Sequence, residues 1–219
     1  MCMLQKTKYI VDKNTVDICA GYAQDGKLAL NRQTGNFFYD PWEILPEYKN
    51  TAIETALDVL PFPIGEARLV KLEPGQCYFA HSDIDDRYHL NLSGTNCTLH
   101  DFDTNTSYPL TQDGIWYLMD AGRIHTAMNA GEYARVQLLV RKLLPLTKLK
   151  NPVKLFVRVT GTNARYRFDN TLSPWLNLAV KRNIISNFEV NGASVYFDVE
   201  KEYIQECIDI IPEQFQYEY

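Results

Sequence analysis

The sequence predicts a mainly β protein with α additions, built as an antiparallel sandwich or barrel followed by a small α+β unit. Short alternating apolar segments, separated by turn residues and without helical periodicity, fill residues 66–142. This spacing is typical of antiparallel sheets. Beyond residue 150 the pattern changes to strand, helix, hairpin and helix. We therefore expect two units, residues 1–148 and 149–219, with the proline- and lysine-containing segment 144–152 as the linker.

The N-terminal unit is predicted to contain one clear helix and a series of strands. The β-leaning sequences KYIVD and GNFFYD stand near its start. Thr51 and Glu54 form a T-x-x-E capping box, which predicts a helix that ends before Pro61. The strands that follow are predicted in ARLVKL, YHLNL, CTLHDF, GIWYLMD and RVQLLVR.

The C-terminal unit is predicted to have the order β-α-β-β-α, beginning with the strand VKLFVRVT. Ser173 and Pro174 suit an N-cap and a first helical residue. Asn191-Gly192 is a pair typical of a type I′ hairpin turn. Apolar residues on one face predict a final helix in EKEYIQECIDII. We expect the aromatic tail EQFQYEY to pack on the barrel or on a second subunit, so a homodimer formed through this unit is one expectation.

Composition indicates an intracellular protein without a nucleic-acid or membrane partner. The formal net charge of −5 and the pI of about 5.4 argue against binding to a phosphate backbone. The five cysteines are scattered and form no CxxC pair, which favours reduced thiols. The N-terminal residues lack the apolar run of a signal peptide, and no apolar stretch is long enough to span a bilayer. We expect a cytoplasmic location.

A candidate metal site begins at His81 and Asp83, an H-x-D triplet. Residues i and i+2 of a strand face the same side, so both side chains can reach one ion. A third ligand must come from His89, His100 or His125. His125 follows an apolar strand and a glycine turn, where an adjacent antiparallel strand would return to the pair. Two histidines and one carboxylate form the facial triad of non-haem Fe(II) oxygenases.

Arg135 follows the downstream histidine by ten residues, on a predicted strand that can direct it into the same cavity. A buried guanidinium needs an anion, and the distal carboxylate of 2-oxoglutarate suits a bidentate contact. Arg87 and His89 occupy alternate positions and share one strand face. Arg87 could instead form a surface ion pair with Asp85 or Asp86 and have no role in the cavity. The acidic sequence SDIDD is expected to be a solvated loop.

Over residues 66–142 the sequence resembles the aspartyl/asparaginyl β-hydroxylase-like branch of the Fe(II)/2-oxoglutarate-dependent oxygenases. EPGQCYFAHSD resembles the Pro-Gly pair that this family places before its first metal-binding histidine. RYHLNL resembles its R-x-H-L segment, and CTLHDFDTNTSYPLTQDGIWYLMDAGRIHTAMN resembles the region that leads to its second metal-binding histidine. ARVQLLV resembles its arginine-bearing strand.

The resemblance implies a double-stranded β-helix, of jelly-roll or cupin-like type, that binds Fe(II) and uses 2-oxoglutarate and O₂ as cosubstrates. It implies hydroxylation of an amino-acid residue, in a peptide or protein or as a free amino acid, with release of succinate and CO₂. The implied metal ligands are His81, Asp83 and His125. The residues implied to bind the cosubstrate are Arg135, which would contact the 5-carboxylate, with Arg87 and His89 lining its pocket.

The sequence departs from the family pattern at the cosubstrate pocket. Val70 stands where relatives place a small hydroxyl residue beside the arginine, and Phe79 offers no hydroxyl instead. We expect Tyr117 or Thr126 to supply the missing donor. Some relatives lack the carboxylate ligand, so the presence of Asp83 favours hydroxylation over halide binding.

Two other functions remain compatible with the residues. One is a cupin-type metalloprotein that uses His81, His89 and His125 without 2-oxoglutarate, as a dioxygenase, isomerase or hydrolase. The other is a non-catalytic binding module on the same fold. Arg135 distinguishes the cupin-type metalloprotein from a 2-oxoglutarate enzyme, since only the latter needs its guanidinium at the cosubstrate, and metal analysis of the purified protein tests the non-catalytic module.

Overall fold

The computed structural model of the protein describes residues 2–211 and 215–219. Its helices are α1 (Lys13–Ala20), α2 (Ala52–Asp58), α3 (Ala164–Arg167), α4 (Ser173–Lys181) and α5 (Ile204–Ile210). A π-helical turn, Phe168–Leu172, joins α3 to α4, and 3-10 turns lie at Pro46–Tyr48 and Lys201–Tyr203. The strands are β1 (Leu4–Ile10), β2 (Lys27–Ala29), β3 (Asn31–Arg32), β4 (Glu43–Ile44), β5 (Ile64–Leu72), β6 (Arg87–Ser93), β7 (Cys97–Asp101), β8 (Thr106–Pro109), β9 (Ile115–Met119), β10 (His125–Asn129), β11 (Arg135–Lys142), β12 (Pro152–Val159), β13 (Ile185–Asn191), β14 (Ser194–Glu200) and β15 (Phe215–Glu218).

The major sheet has six antiparallel strands in the order β1-β9-β6-β11-β5-β2. Its central strands are buried on both faces, because one face packs under α1 and α2 and the other faces the interior of the barrel. On β6 the apolar side chains Tyr88, Leu90 and Leu92 join the cluster under the helices. The alternate residues Arg87 and His89 are buried on the inner face. The sheet thus carries polar groups into the interior.

The minor sheet, β10-β7-β8, covers the inner face of the major sheet. Residues 75–81 pair antiparallel with the free edge of β10, through bridges that join Cys77 to Met128 and His81 to His125. A cluster that includes Met119 of the major sheet and Leu99 and Ala127 of the minor sheet packs between them. Two antiparallel sheets closed in this way form a double-stranded β-helix, which confirms the predicted fold class.

The C-terminal residues form a separate four-stranded sheet, β13-β14-β12-β15, against which α4 and α5 pack. Its apolar core also takes in Phe38, Tyr39, Ile84 and Leu144 from the preceding part of the chain. Because the core is shared, the division of the chain at residue 148 stays a prediction.

The predicted helix at residues 52–60 and the strands of the central region are present. Thr51 caps α2 by accepting from the amide of Ile53 at 3.2 Å. Helix α1 was not predicted, although Asp12 caps it by accepting from the amide of Thr15 at 3.0 Å. The predicted strand GNFFYD is instead a turn, in which the carboxylate of Asp40 accepts from the amide of Asn36.

Three local predictions in the C-terminal unit are wrong. Ser173 is not an N-cap: it has helical dihedrals, and the helical segment already begins at Ala164. The hairpin turn is Gly192-Ala193, because Asn191 pairs with Ser194; a glycine with φ +62° at the first central position suits a type II′ turn. The aromatic tail pairs with β12 as β15, so it packs on its own sheet. Its first residues, 213 and 214, lie outside the described residues.

Candidate metal centre and cosubstrate pocket

His81 and His125 are cross-strand neighbours because residues 75–81 pair with β10. The amide of His81 donates to the carbonyl of His125 at 3.0 Å, and the reverse bond is 2.8 Å. Their ring centroids are 4.5 Å apart. Asp83 joins them because its own amide donates to the carbonyl of Ala121 at 2.7 Å, which turns the chain back over the pair. The structure thus brings together the three residues that the sequence singled out.

The three side chains present ligand atoms that lie within 4.8 Å of one another. Asp83 Oδ2 is 3.9 Å from His81 Nε2 and 4.0 Å from His125 Nε2. Each histidine Nδ1 lies 2.8 Å from a backbone carbonyl, that of Phe79 for His81 and that of Arg123 for His125. A proton on Nδ1 satisfies that carbonyl and leaves the Nε2 lone pair facing Asp83. This donor set suits a divalent metal ion such as Fe(II).

His89 and His100 stand apart from this group. Within residues 2–211 and 215–219, the cluster contains His81, Asp83 and His125 and neither of the other histidines. His100 Nδ1 instead lies 3.0 Å from the hydroxyl of Ser107.

Charges around Asp83 keep it ready to bind a cation. Burial by itself would raise the pKa of Asp83, but Arg87 and the two histidines of the cluster hold this pKa well below its usual range. Burial lowers the pKa of His125, which keeps its imidazole neutral and able to donate a lone pair to a metal. The cluster therefore offers one carboxylate and two imidazole side chains as possible ligands.

The acidic segment before β6 is buried or partly buried, and each of its three carboxylates is paired, which corrects the expectation of a solvated loop. Arg87 is 7% exposed and donates to Asp83 Oδ1 at 2.7 Å, so it is not a surface residue. Asp85 is 2% exposed and accepts from both Nε and Nη2 of Arg141, at 2.6 and 2.7 Å. Asp86 pairs with Lys181 at 3.0 Å. The sequence analysis did not single out Arg141, which is placed beside Arg87 by the register of β11 on β6.

Arg135 is a buried cation without an acidic partner. It is 3% exposed, and among the described residues no carboxylate oxygen lies within 4.0 Å of its guanidinium. Its Nη2 donates to Oε1 of Gln137, and its Nε has no hydrogen-bond partner. Burial lowers the pKa of Arg135 to about 10, which leaves it charged at neutral pH. A buried charge of this kind is costly unless an anion neutralises it.

Neighbouring polar side chains on the inner face also have unused hydrogen-bonding groups. Gln137 Nε2, His89 Nε2 and both amide atoms of Asn91 are buried without partners. Burial, together with the charge of Arg135, lowers the pKa of His89 to about 3, so its ring is neutral. Clustered unsatisfied groups around one cation are the type of surroundings that could bind a polar, anionic ligand.

Neither Tyr117 nor Thr126, the two residues expected to supply a hydroxyl donor beside Arg135, has a free hydroxyl group. The hydroxyl of Tyr117 donates to Asp113 at 2.7 Å, and that of Thr126 donates to the carbonyl of Tyr78 at 2.6 Å. Val70 lies across from Gln137 on the adjacent strand, so the Gln137 amide occupies the place beside Arg135. Sequence reasoning missed Gln137, although it stands two residues after Arg135 on the same strand face.

A cavity of about 940 Å³ contains both the metal-ligand cluster and Arg135. The C-terminal unit forms part of its wall with Arg165, Tyr166, Asp169 and Asn170, and Phe79, 91% exposed, stands at the same opening. This unit is tied directly to the metal-ligand segment. The carbonyl of Asp169 accepts from the amide and the hydroxyl of Ser82 at 2.9 and 2.6 Å, and the Asn170 amide donates to the carbonyl of Ala80 at 3.1 Å.

No helix in the described part of the chain is long and apolar enough to cross a membrane.

No model of a known family matches the sequence, and no curated protein matches it. A viral collagen prolyl hydroxylase from Paramecium Bursaria Chlorella virus-1, in complex with 2OG, is 9% identical, with a TM-score of 0.43 over 64% of this chain and 95% of its own. A Pseudomonas putida prolyl-4-hydroxylase is 13% identical, with a TM-score of 0.42 over 64% of this chain and 91% of its own. A cupin domain from Bordetella pertussis is 12% identical, with a TM-score of 0.35 over 55% of this chain and 97% of its own. These likenesses are distant and do not decide the function.

Proposed function

We propose that this protein is an Fe(II)- and 2-oxoglutarate-dependent oxygenase that hydroxylates an amino-acid residue, within a peptide or protein or as a free amino acid. The observation that carries the proposal is the unpaired, buried guanidinium of Arg135 in the same cavity as the cluster of His81, Asp83 and His125. A metal-ligand cluster alone fits many metalloproteins. An additional buried cation fits a cosubstrate that has a carboxylate at the end remote from the metal.

His81 and His125 would hold Fe(II) through Nε2, and Asp83 would hold it through Oδ2. Three protein ligands on one face leave the remaining coordination positions for small molecules. When bound there, Fe(II) with 2-oxoglutarate and O₂ supplies the oxidant that converts a C–H bond to C–OH. One oxygen atom of O₂ enters the product alcohol and the other enters succinate, while 2-oxoglutarate loses CO₂.

Arg135 would bind the 5-carboxylate of 2-oxoglutarate and thereby fix the position of the cosubstrate relative to the metal ligands. The Gln137 amide, whose Nε2 has no partner, can donate to the same carboxylate. Tyr78 lines the cavity close enough for the charge of Arg135 to act on its hydroxyl. These groups replace the small hydroxyl that Val70 cannot provide. His89, which is neutral, completes the wall of the pocket without adding a competing charge.

The test is turnover with purified protein under controlled metal loading. Protein freed of metal and handled anaerobically is given Fe(II), 2-oxoglutarate and O₂, and succinate is measured with and without amino acids or peptides. His125→Ala should abolish succinate formation, whereas the matched control His100→Ala should retain it because His100 lies outside the cluster. The proposal is wrong if the wild-type protein fails to bind either the metal or 2-oxoglutarate, or if His125→Ala and His100→Ala behave alike.

A further inference from the structure

Behind the cluster of His81, Asp83 and His125, four charges alternate in sign, of which Arg87 and Asp85 are buried and Asp83 and Arg141 are partly buried. Arg87 Nη2 lies 2.7 Å from Asp83 Oδ1 and 3.5 Å from Asp85 Oδ1. Asp85 in turn accepts from Arg141 through both of its oxygens, at 2.6 and 2.7 Å. The order Asp83, Arg87, Asp85, Arg141 thus balances two carboxylates against two guanidinium groups. We call these four residues the charge row.

The outer end of the charge row is held in place by aromatic rings. The Arg141 guanidinium lies 4.0 Å from the ring centroid of Phe37 and 5.1 Å from that of Phe38. Phe38 belongs to the shared core, and its carbonyl accepts from the amide of Leu144 at 2.9 Å. Arg141 is therefore restrained by stacking and by its strand, and through Asp85 it restrains Arg87.

The consequence concerns the rotamer of Asp83. Arg87 holds Oδ1 and leaves Oδ2 facing His81 and His125. If Asp85 were neutral, Arg87 and Arg141 would both act on Asp83, since the charge of Asp83 acts on both guanidinium groups, whereas Glu66 acts on Arg87 alone of the two. Two cations competing for one carboxylate would draw it away from the histidines. Asp85 prevents this because it engages both guanidinium groups.

We propose that Asp85 and Arg141, which would touch neither metal nor substrate, are positioning residues that set the orientation of Asp83 for metal binding. This inference rests on the proposed metal centre and adds the residues that shape it. Outer partners of this type typically change metal affinity by about 10- to 100-fold when removed.

The experiment measures metal binding, so it does not depend on turnover. Co(II) is titrated into metal-free wild-type protein, and the dissociation constant and the visible ligand-field spectrum are recorded. Asp85→Asn and Arg141→Met should each weaken Co(II) binding by about 10- to 100-fold and alter the spectrum. Arg141→Lys keeps the charge but loses the fork geometry, and we expect it to recover part of the affinity. The matched control is Asp86→Asn, since Asp86 is the next acidic residue but pairs with Lys181 outside the charge row.

Thermal unfolding of each variant separates loss of the site from loss of the fold. Should Asp85→Asn fail to fold, Arg141→Lys and Arg141→Met carry the test. The inference is overturned if folded Asp85→Asn or Arg141→Met binds Co(II) with the wild-type constant and spectrum, or if Asp86→Asn weakens binding equally. If wild-type protein binds no Co(II), the metal centre itself is refuted, and the proposed function with it.

Discussion

Arg87 holds one oxygen of Asp83 at 2.7 Å, from a position four residues later in the chain. The other oxygen of the same carboxylate lies 3.9 and 4.0 Å from the two histidine nitrogens. The carboxylate is thus divided between a structural contact and a ligand position.

Variants of Asp83 and His89 distinguish the two possible sets of metal ligands, which share His81 and His125 and differ in whether the third ligand is Asp83 or His89. Asp83→Ala should lower Co(II) affinity by more than about 100-fold because it removes a ligand and the only anionic one. His89→Gln should leave Co(II) affinity within about threefold of the wild type, since His89 lies outside the cluster. Equilibrium dialysis checks both. A large loss in His89→Gln with little loss in Asp83→Ala would instead support the cupin-type set of three histidines.

Arg135→Met should weaken 2-oxoglutarate binding by about 100-fold, because loss of one member of a buried charge pair costs about 3 kcal/mol. Without 2-oxoglutarate the free energy of unfolding of the same variant should be higher by about 1 kcal/mol, because an uncompensated buried charge is replaced by an apolar chain. The variant should therefore unfold at a higher urea concentration than the wild type. Calorimetric titration and urea unfolding measure the two effects. Arg158→Met, on the exposed face of β12, is the control that should change neither.

His89 should make the stability of the protein depend on pH. Its pKa is about 3 when folded, against an ordinary value of about 6.5, so between these values the unfolded chain binds one more proton. Stability is therefore greatest above pH 6.5 and falls as the pH drops towards 3, by up to about 1.4 kcal/mol per unit. Urea unfolding at pH 5 and 7.5 should show a smaller pH effect in His89→Gln than in the wild type. An equal effect in both proteins would contradict this.

Asn170 ties the C-terminal unit to the segment that carries His81. Asn170→Ala removes the 3.1 Å bond to the Ala80 carbonyl and should lower the unfolding free energy by about 1 kcal/mol. We also expect a measurable loss of Co(II) affinity, because the backbone beside His81 gains freedom. Gln205→Ala, which removes an exposed amide contact with Asp209 in the same unit, is the control for metal binding. Unchanged Co(II) affinity in Asn170→Ala would show that this tie does not support the metal centre.

The sequence by itself determined the features that follow from local pattern. Period-two alternation on β6 predicted that Arg87 and His89 share a face, and the capping box at Thr51 predicted the start of α2. The H-x-D spacing predicted that His81 and Asp83 lie together, as residues i and i+2 of a strand; they do, although only His81 is in a β-bridge and Asp83 lies beyond it. Errors arose where local cues competed: Ser173-Pro174 has the composition of a helix start but lies inside a longer helical segment.

Only the tertiary structure decided which distant groups meet, because strand register is set by packing over the whole sheet. Register placed Arg141 beside Arg87, Gln137 beside Val70, and His125 beside His81. Among the residues that the structure describes, no acidic side chain lies within 4.0 Å of the Arg135 guanidinium, whereas Arg87 has two such partners. The partners of Arg87 are two and four residues away, but the surroundings of Arg135 depend on remote segments, and a linear sequence does not contain that information in readable form. The isolation of Arg135 and the addition of Arg141 to the charge row, which underlie the two proposals, are both of this kind.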